Sequence, residues 1–281
     1  MKKKLTKILD FLGIKPIIKK KINWVQGKYA QLNYSIFNKT VILQNKNFKS
    51  IPIIIISFNQ LFYLKQLIDF LKKHNYNNIV IVDNNSSYAP LLKYFDEIES
   101  TVTIHRLKEN FGHLVFWKIK ALYERYSKGY YVVTDADILP SDDCPADFLL
   151  KFKNILDNDF KFNKVGFSLK IDDIPDTNLN KDKIVKWESR FWEQKTKEGN
   201  YIAKIDTTFA LYRPGYKYSV DNFMKAIRTK HPMEAIHGGW YINNKELNEE
   251  QDFYYKNSTL SSSWLSDSDG NLFNKYYNEN I

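Results

Sequence analysis

The sequence predicts an α/β fold, in which a mostly parallel central sheet carries helices on both faces. From residue 51 onward, β-branched apolar runs alternate with segments of helical periodicity. This order is typical of parallel strands joined by right-handed crossovers. Residues 51–56 are isoleucines and one proline, and residues 79–82 alternate isoleucine and valine. Runs that are apolar at every position favour strands buried on both faces.

The predicted elements follow from hydrophobic period and turn residues. Strands are predicted at 51–56, 79–82, 102–106, 130–137 and 165–169, with less regular ones at 41–43 and 205–213. Helices are predicted at 61–74, at 89–98, from about 114 to 127, from 145 to 156 and at 187–192.

Polar clusters follow the first four regular strands. Because parallel strands end at the same edge of a sheet, these clusters should meet in one ligand site. The clusters are Ser57 with Asn59, residues 83–86, residues 110–113, and Asp135 with Asp137. In a strand, Asp135 and Asp137 point to the same face. Two hard carboxylate ligands suit Mg²⁺ or Mn²⁺ carrying a substrate phosphate, whereas a solvated turn is the structural alternative.

The positive charge is concentrated near the N-terminus. The chain of 281 residues has a net charge of +10, whereas residues 1–68 alone carry thirteen lysines against one acidic residue. In residues 1–28 lysines alternate with apolar residues, which is typical of a helix lying on an anionic membrane surface or of a helix packed on the protein itself. Nucleic-acid binding is not expected, because this charge is all lysine and forms no recognisable module.

Cysteine content and hydropathy favour a cytoplasmic protein, and the basic N-terminus suggests a peripheral place at the inner face of the membrane. The one cysteine, Cys144, excludes an internal disulfide framework and a multi-cysteine zinc site. No apolar run reaches the length of a membrane-spanning helix, and the N-terminus lacks the apolar core of a signal peptide.

The strand-end motifs resemble those of nucleotide-sugar-dependent glycosyltransferases of the GT-A fold, most nearly the family 2-like group. The resemblance covers residues 51–140 and is carried by Ile-Ser-Phe-Asn at 56–59, Asp-Asn-Asn-Ser at 83–86, Asn-Phe-Gly at 110–112 and Asp-Ala-Asp at 135–137. It implies a DxD motif at a strand end, with Asp137 on the metal and Asp135 near the ribose or a metal-bound water. The residues it implies at the nucleotide sugar are Ser57, Asn59, Asp83, Asn85, Asn110, Gly112 and Asp135.

The second half of the chain resembles the family only loosely. The family's inverting enzymes use a later Asp or Glu as general base, for which Asp206 is the first candidate and Glu188 the second. An equally open alternative is that the Asp206 carboxylate accepts hydrogen bonds from the backbone of neighbouring residues at the start of a strand. His237, followed by two glycines, is the candidate third metal ligand, with a structural histidine equally open. Arg228 and Lys230 are candidates for neutralising the diphosphate.

These inferences divide the chain into a basic extension at 1–50, a catalytic domain at 51–257 and a tail at 258–281. Within the domain, residues 51–140 are the nucleotide-binding half and residues 141–257 the acceptor-binding half. The implied enzyme is an inverting glycosyltransferase of surface polysaccharide or glycan biosynthesis, using Mn²⁺ or Mg²⁺ and a UDP-sugar. Its acceptor would be a glycan or lipid-linked saccharide. A non-catalytic membrane-surface protein on the same scaffold is one alternative. A sugar-nucleotide nucleotidyltransferase is another, although the Gly-rich loop it needs is missing after the first strand.

Overall fold

The computed structural model describes residues 14–219 and 223–258, together with 264, 266 and 270–272. The strands in this part of the chain are β1 Ile53–Ser57, β2 Ile79–Asp83, β3 Thr103–Arg106, β4 Tyr131–Asp135, β5 Ile138–Pro140, β6 Lys164–Leu169, β7 Tyr201–Ile202, β8 Ala210–Tyr212 and β9 Ala226–His237. The helices are α1 Ile14–Phe37, α2 Lys39–Lys46, α3 Phe62–Lys73, α4 Ala89–Ile98, α5 Val115–Lys118, α6 Lys120–Tyr126, α7 Phe148–Asn158, α8 Lys181–Ser189 and α9 Glu249–Asn257.

All nine strands belong to one sheet, with the order β3-β2-β1-β4-β8-β6-β9-β5 and β7 paired to β9. Strands β3, β2, β1 and β4 are mutually parallel. Their registers place Ser57 beside Asp83, Asp83 beside Arg106, and Ile56 beside Asp135. The expectation that the polar clusters meet at one edge of the sheet is therefore confirmed for these strand ends.

Alternate residues of the strands enter two separate cores, which explains their continuous apolar sequence. Ile53 and Ile55 pack in a core with side chains of α3, α4 and α7. Ile54 and Ile56 pack in the opposite core, with Val115, Phe116 and other side chains of α5 and α6. The predicted α/β class, with helices on both faces of a central sheet, is confirmed.

The second half of the sheet is mixed. Strand β8 runs antiparallel between β4 and β6, whereas β6 and β9 are parallel. The predicted strand at 205–213 shortens to Ala210–Tyr212, which leaves Asp206 in the preceding loop. Strand β4 ends at Asp135, so the prediction that Asp135 and Asp137 share one strand face is wrong. Asp137 lies in the two-residue turn between β4 and β5. This turn is held by the hydrogen bond from Gly238 N to the Asp137 carbonyl oxygen (2.7 Å) and by the pairing of β5 with β9.

Other elements also differ from the predictions. The helix predicted at 187–192 begins earlier, as α8 Lys181–Ser189, and Arg190–Trp192 form a 3-10 turn after it. Residues 41–43 lie in α2 rather than in an edge strand, because Asn38 Oδ1 accepts from Val41 N (3.1 Å) and caps a helix there. The helix expected from Pro145 begins at Phe148, after Asp147. The helix before β4 is broken at Ile119 into α5 and α6.

Helix α2 attaches where β4 begins. Gln44 accepts from Tyr130 N and donates to Tyr130 O, both at 2.8 Å, which satisfies the backbone at that point. The helices predicted in residues 1–28 lie partly outside the described residues. From Ile14 onward they form the single helix α1, in which Pro16 is tolerated because it falls in the first turn. Within the described part of the chain, no helix is long and apolar enough to cross a membrane.

Candidate active site

A cavity of about 830 Å³ opens at the carboxyl edge of the parallel strands. Its lining brings together eight of the residues predicted from the sequence. These are Asn110, Gly112, Asp135, Asp137, Glu188, Asp206, Arg228 and His237. Four of these side chains are carboxylates, and they come from three chain segments: the end of β4 with the turn after it, α8, and the loop before β8.

Asp135 is held at the end of β4. Its Oδ2 accepts a hydrogen bond from Thr207 Oγ1 at 2.6 Å. Burial, and then the nearby charge of Asp137, raise the pKa of Asp135 to about 8, while the Thr207 bond acts in the opposite direction. Two carboxylates in one buried place repel each other, so the arrangement favours a bound cation or proton.

Asp137 and His237 form the second part of this cluster. Asp137 is 7% exposed, and its Oδ2 lies 3.4 Å from His237 Nδ1 and accepts from Gly239 N at 3.3 Å. The His237 ring stacks on Trp240, with centroids 4.9 Å apart. His237 Nδ1 is buried and makes no hydrogen bond. A ring fixed by stacking, with an unsatisfied nitrogen beside a carboxylate, suits a metal ligand.

The two glycines after His237 have packing roles that the sequence did not predict. A methyl group at Gly238 would lie 2.3 Å from the Tyr63 ring. One at Gly239 would lie 3.1 Å from His237 Cε1 and 3.4 Å from Asp137 Oδ2. Glycine is therefore required at 238 for the approach of Tyr63 and preferred at 239 to leave the Asp137–His237 pair room.

The donor set fits a divalent cation in chemistry, although the protein alone does not complete a site. Among the described residues, no three His, Cys, Asp or Glu side chains are already grouped around one metal position. Asp137 and His237 supply one carboxylate oxygen and one imidazole nitrogen, and Asp135 stands nearby. Mn²⁺ accepts this mixture, and a metal held by few protein ligands takes further oxygens from substrate phosphate.

Asp206 is exposed in the cavity wall. Its backbone oxygen, rather than its carboxylate, accepts a hydrogen bond from Lys164 Nζ at 3.1 Å. Lys164 is 0% exposed, also donates to the Tyr212 hydroxyl at 3.0 Å, and stands 3.8 Å from the Phe223 ring centroid. The buried lysine therefore fixes the loop, while the Asp206 side chain stays free to meet a substrate.

Lys164 is expected to make stability depend on pH. Burial lowers its pKa from 10.5 to about 7, so the folded protein binds one proton fewer than the unfolded chain between these values. The resulting stabilisation is present above pH 10.5 and is lost as pH falls toward 7. Relative to Lys164→Met, the free energy of unfolding of the wild type should therefore rise between pH 7 and 10, by up to ~1.4 kcal/mol per pH unit. Urea unfolding of both proteins measures this difference, and a difference that stays constant with pH would contradict it.

Glu188 lines the cavity but is only 2% exposed, and it pairs with Arg228. The two side chains form a salt bridge, and Arg228 Nε also donates to Lys204 O at 2.8 Å. Burial raises the pKa of Glu188 to about 7, against the opposing effect of Arg228. The Glu188 carboxylate is buried and occupied by Arg228, whereas Asp206 is exposed to the cavity, so an acceptor hydroxyl can reach Asp206 more easily and the geometry favours Asp206 as the base.

Breaking this pair should destabilise the fold. Arg228→Met leaves the Glu188 carboxylate buried without its partner, and we expect the free energy of unfolding to fall by about 3–5 kcal/mol. Lys230→Met is the matched control, because Lys230 is an exposed cation on the same strand and should change stability by under ~0.5 kcal/mol. The double variant Glu188→Met/Arg228→Met should recover part of the loss. Urea unfolding that shows equal effects for Arg228→Met and Lys230→Met would refute the structural role.

The nucleoside side of the site contains one residue that the sequence analysis missed. Asn84 donates to Gly112 O (3.1 Å) and accepts from Phe111 N (2.8 Å), which ties the end of β2 to the loop after β3. It lines the cavity, whereas the predicted Asn85 is exposed outside the lining. Gly112 adopts φ +75° in this loop, a conformation that favours glycine.

The remaining predicted nucleotide contacts lie below the cavity surface. Asp83 Oδ1 accepts from Ser86 N (3.0 Å), and Asn59 Oδ1 accepts from Ser87 N (2.7 Å) and Tyr88 N (3.0 Å). Ser57 Oγ is buried with no hydrogen-bond partner. These three residues shape the strand ends from within, and their direct contact with a nucleotide stays a prediction.

The cations at the cavity are also different from those expected. Lys230 lies outside the lining and donates to Glu198 O at 2.8 Å, and Arg228 is occupied by Glu188. Arg190 and Lys204 are exposed in the lining instead. The Arg190 guanidinium lies 3.7 Å from the Trp187 ring centroid, so that pair presents a cation together with an aromatic surface.

A structure comparison found several solved structures with a partly similar backbone. A mannosyltransferase, PcManGT from Pyrobaculum calidifontis in complex with GDP-Man and Mn²⁺, is 14% identical, with a TM-score of 0.44, over 74% of this chain and 60% of that one. S. aureus TarS, residues 1–349, is 11% identical, with a TM-score of 0.41, over 67% and 60%. A 4-diphosphocytidyl-2C-methyl-D-erythritol synthase from Anaerococcus prevotii is 11% identical, with a TM-score of 0.34, over 67% and 91%.

The chain thus spans about 60% of the length of the mannosyltransferase and of the TarS fragment. No protein-family model and no curated protein matches the sequence. TM-scores below 0.5 do not establish a shared function, so the functional conclusion depends on the geometry of the cavity.

Proposed function

We propose that the protein is a metal-dependent glycosyltransferase that moves a sugar from a nucleoside diphosphate to a glycan or lipid-linked saccharide. The observation that carries the proposal is the meeting of Asp135, Asp137, His237 and Asp206 in one cavity at the carboxyl edge of a parallel sheet. Ligands of α/β sheets bind at this edge. The volume, about 830 Å³, is of the size that holds a nucleotide sugar.

The acidic cluster argues for a phosphate ligand only together with a cation. Carboxylates alone repel a diphosphate, whereas a divalent metal attracts both. We assign Asp137 and His237 as the protein ligands, with Asp135 near the ribose or a metal-bound water. A bound Mn²⁺ or Mg²⁺ would neutralise the charge that develops on the departing diphosphate. Arg190 and Lys204, the exposed cations of the lining, would add to this neutralisation.

Asp206 is assigned as the general base of an inverting reaction. Its carboxylate is exposed in the wall, while Lys164 holds its backbone, so the side chain is available to accept the proton of an acceptor hydroxyl. The assignment of Glu188 as an alternative base is weakened by its buried pairing with Arg228. The Trp187 ring in the lining offers a surface on which a sugar can stack.

A donor screen tests the proposal. Purified protein is incubated with Mn²⁺ and a panel of UDP-, GDP-, CDP- and dTDP-sugars, with and without oligosaccharide or lipid-linked acceptors, and products are identified by mass. We expect one donor, with UDP-sugars favoured, to release its nucleoside diphosphate and extend an acceptor. NMR of the product should show an inverted anomeric centre. If no donor is consumed or bound, the proposal is wrong.

A further inference from the structure

We propose that α1 docks the protein onto an anionic lipid bilayer through an apolar stripe on its outer face. The stripe consists of six residues whose exposures range from 37% to 69%: Ile18, Ile22, Val25, Tyr29, Leu32 and Ile36. Successive members are separated alternately by four and three residues, so that all lie along one side of the helix. A water-exposed row of six large apolar residues on one helix indicates a binding surface.

The opposite side of α1 holds the helix on the protein. Gly27 approaches Phe160 so closely that a methyl group at Gly27 would lie 2.3 Å from the ring. Tyr34 meets Gly215 in the same way, with a methyl at Gly215 placed 2.2 Å from the Tyr34 hydroxyl. Gly27 lies nine residues, or half a helical turn in projection, from Ile18. The stripe therefore faces away from the body of the protein.

The charges of α1 favour a lipid bilayer over a second copy of the chain. The helix sequence contains five lysines and no acidic residue. Lys21 and Lys28 are exposed and border the stripe in projection, and Trp24 is 53% exposed beside it. Two such helices packed on each other would bring lysines together without a counter-charge. Anionic head groups supply that counter-charge, and an apolar stripe bordered by lysine with a nearby Trp is typical of interfacial helices.

The docking surface is separate from the cavity. Helix α2 continues from α1 and binds the backbone of Tyr130, where β4 begins, whereas Asp135 ends that strand at the cavity. The contact of Tyr34 with Gly215 lies at the same end, because β8 runs antiparallel to β4 and the chain leaves it there. Substitutions in the apolar stripe should therefore weaken membrane binding and leave the rate of sugar transfer to a water-soluble acceptor unchanged.

Vesicle sedimentation tests the proposal with a matched pair of variants. Val25→Ser/Leu32→Ser removes two members of the stripe. The control is Gln26→Ser/Asn33→Ser. Gln26 and Asn33 directly follow Val25 and Leu32 in the sequence, and both are exposed polar residues of the same helix. The full-length proteins are mixed with vesicles of phosphatidylglycerol and phosphatidylcholine, or of phosphatidylcholine alone. Circular dichroism confirms that both variants are folded, and light scattering gives the oligomeric state of each.

The wild type and the Gln26/Asn33 variant should sediment with the anionic vesicles and not with phosphatidylcholine alone. The Val25/Leu32 variant should bind at least about tenfold less. Lys21→Glu/Lys28→Glu should lose binding as well, and added salt should weaken wild-type binding. Equal binding by the two serine variants, or no binding by the wild type, would overturn the proposal. A wild-type dimer that only Val25→Ser/Leu32→Ser dissociates would assign the stripe to a second copy instead.

Discussion

Replacing Asp137 with asparagine is expected to lower the turnover number for sugar transfer by at least about a thousandfold, with the fold intact. Asparagine keeps the shape of the side chain but removes the charge beside His237 and Asp135. The backbone oxygen that accepts from Gly238 is unchanged, so the turn between β4 and β5 should persist. The measurement is the initial rate of nucleoside diphosphate release in saturating donor and Mn²⁺, together with a urea unfolding curve.

Asp142→Asn is the control for this experiment, because Asp142 is an exposed acidic residue a few positions later and lies outside the cavity lining. It should leave both rate and stability unchanged. A Mn²⁺ concentration above the one that saturates the wild type should restore part of the activity of Asp137→Asn if the loss is one of metal affinity. Full activity of Asp137→Asn at ordinary Mn²⁺ concentration would remove this residue from the metal site.

Replacing Asp206 with asparagine should lower the turnover number by about a hundredfold to ten-thousandfold, because the acceptor hydroxyl then loses its proton acceptor. Donor binding should survive, since the Asp206 carboxylate makes no described contact that holds the cavity together. The loop itself is fixed by the bond from Lys164 to the Asp206 backbone, which asparagine retains. Calorimetric titration with the donor separates this outcome from a binding defect.

Glu188→Gln is the informative comparison for Asp206→Asn. If Asp206 is the base, Glu188→Gln should lower the free energy of unfolding. The turnover number of the protein that remains folded should then stay close to that of the wild type. The reverse pattern, with Asp206→Asn fully active and Glu188→Gln inactive but stable, would exchange the two assignments. An anomeric configuration retained in the product, together with an active Asp206→Asn, would mean that the reaction needs no such base.

The parallel half of the fold could be predicted from the sequence because each of its elements has a strong local signal. The isoleucine and valine runs of β1 and β2 are fully buried, and the amphipathic pattern of α3 and α4 matches the observed helices closely. Because right-handed crossovers join these strands in parallel, their carboxyl ends lie at the same edge of the sheet. Asp135 reaches the cavity edge for this reason.

The second half could not be predicted in the same detail, because its strands are short and their partners are far along the chain. Strands β7 and β8 have two and three residues, too few to show a period. The contact of Asp137 with His237 depends on the pairing of β5 with β9, which no local pattern signals. The burial of Glu188 against Arg228 likewise depends on where α8 meets β9. Asn38 caps α2 by accepting a hydrogen bond from Val41 N, and this favours a helix there despite the β-strand preference of the β-branched residues at 41–42.

The central claim is that the cavity binds a nucleoside diphosphate through a divalent cation held by Asp137 and His237. Isothermal titration calorimetry with UDP, GDP, CDP and dTDP, each with Mn²⁺ and again with EDTA, tests this claim most directly. We predict that one nucleoside diphosphate, with UDP favoured, binds only in the presence of Mn²⁺ and that Asp137→Asn abolishes this binding. Binding of the same nucleotide with equal affinity in EDTA, or by Asp137→Asn, would contradict it.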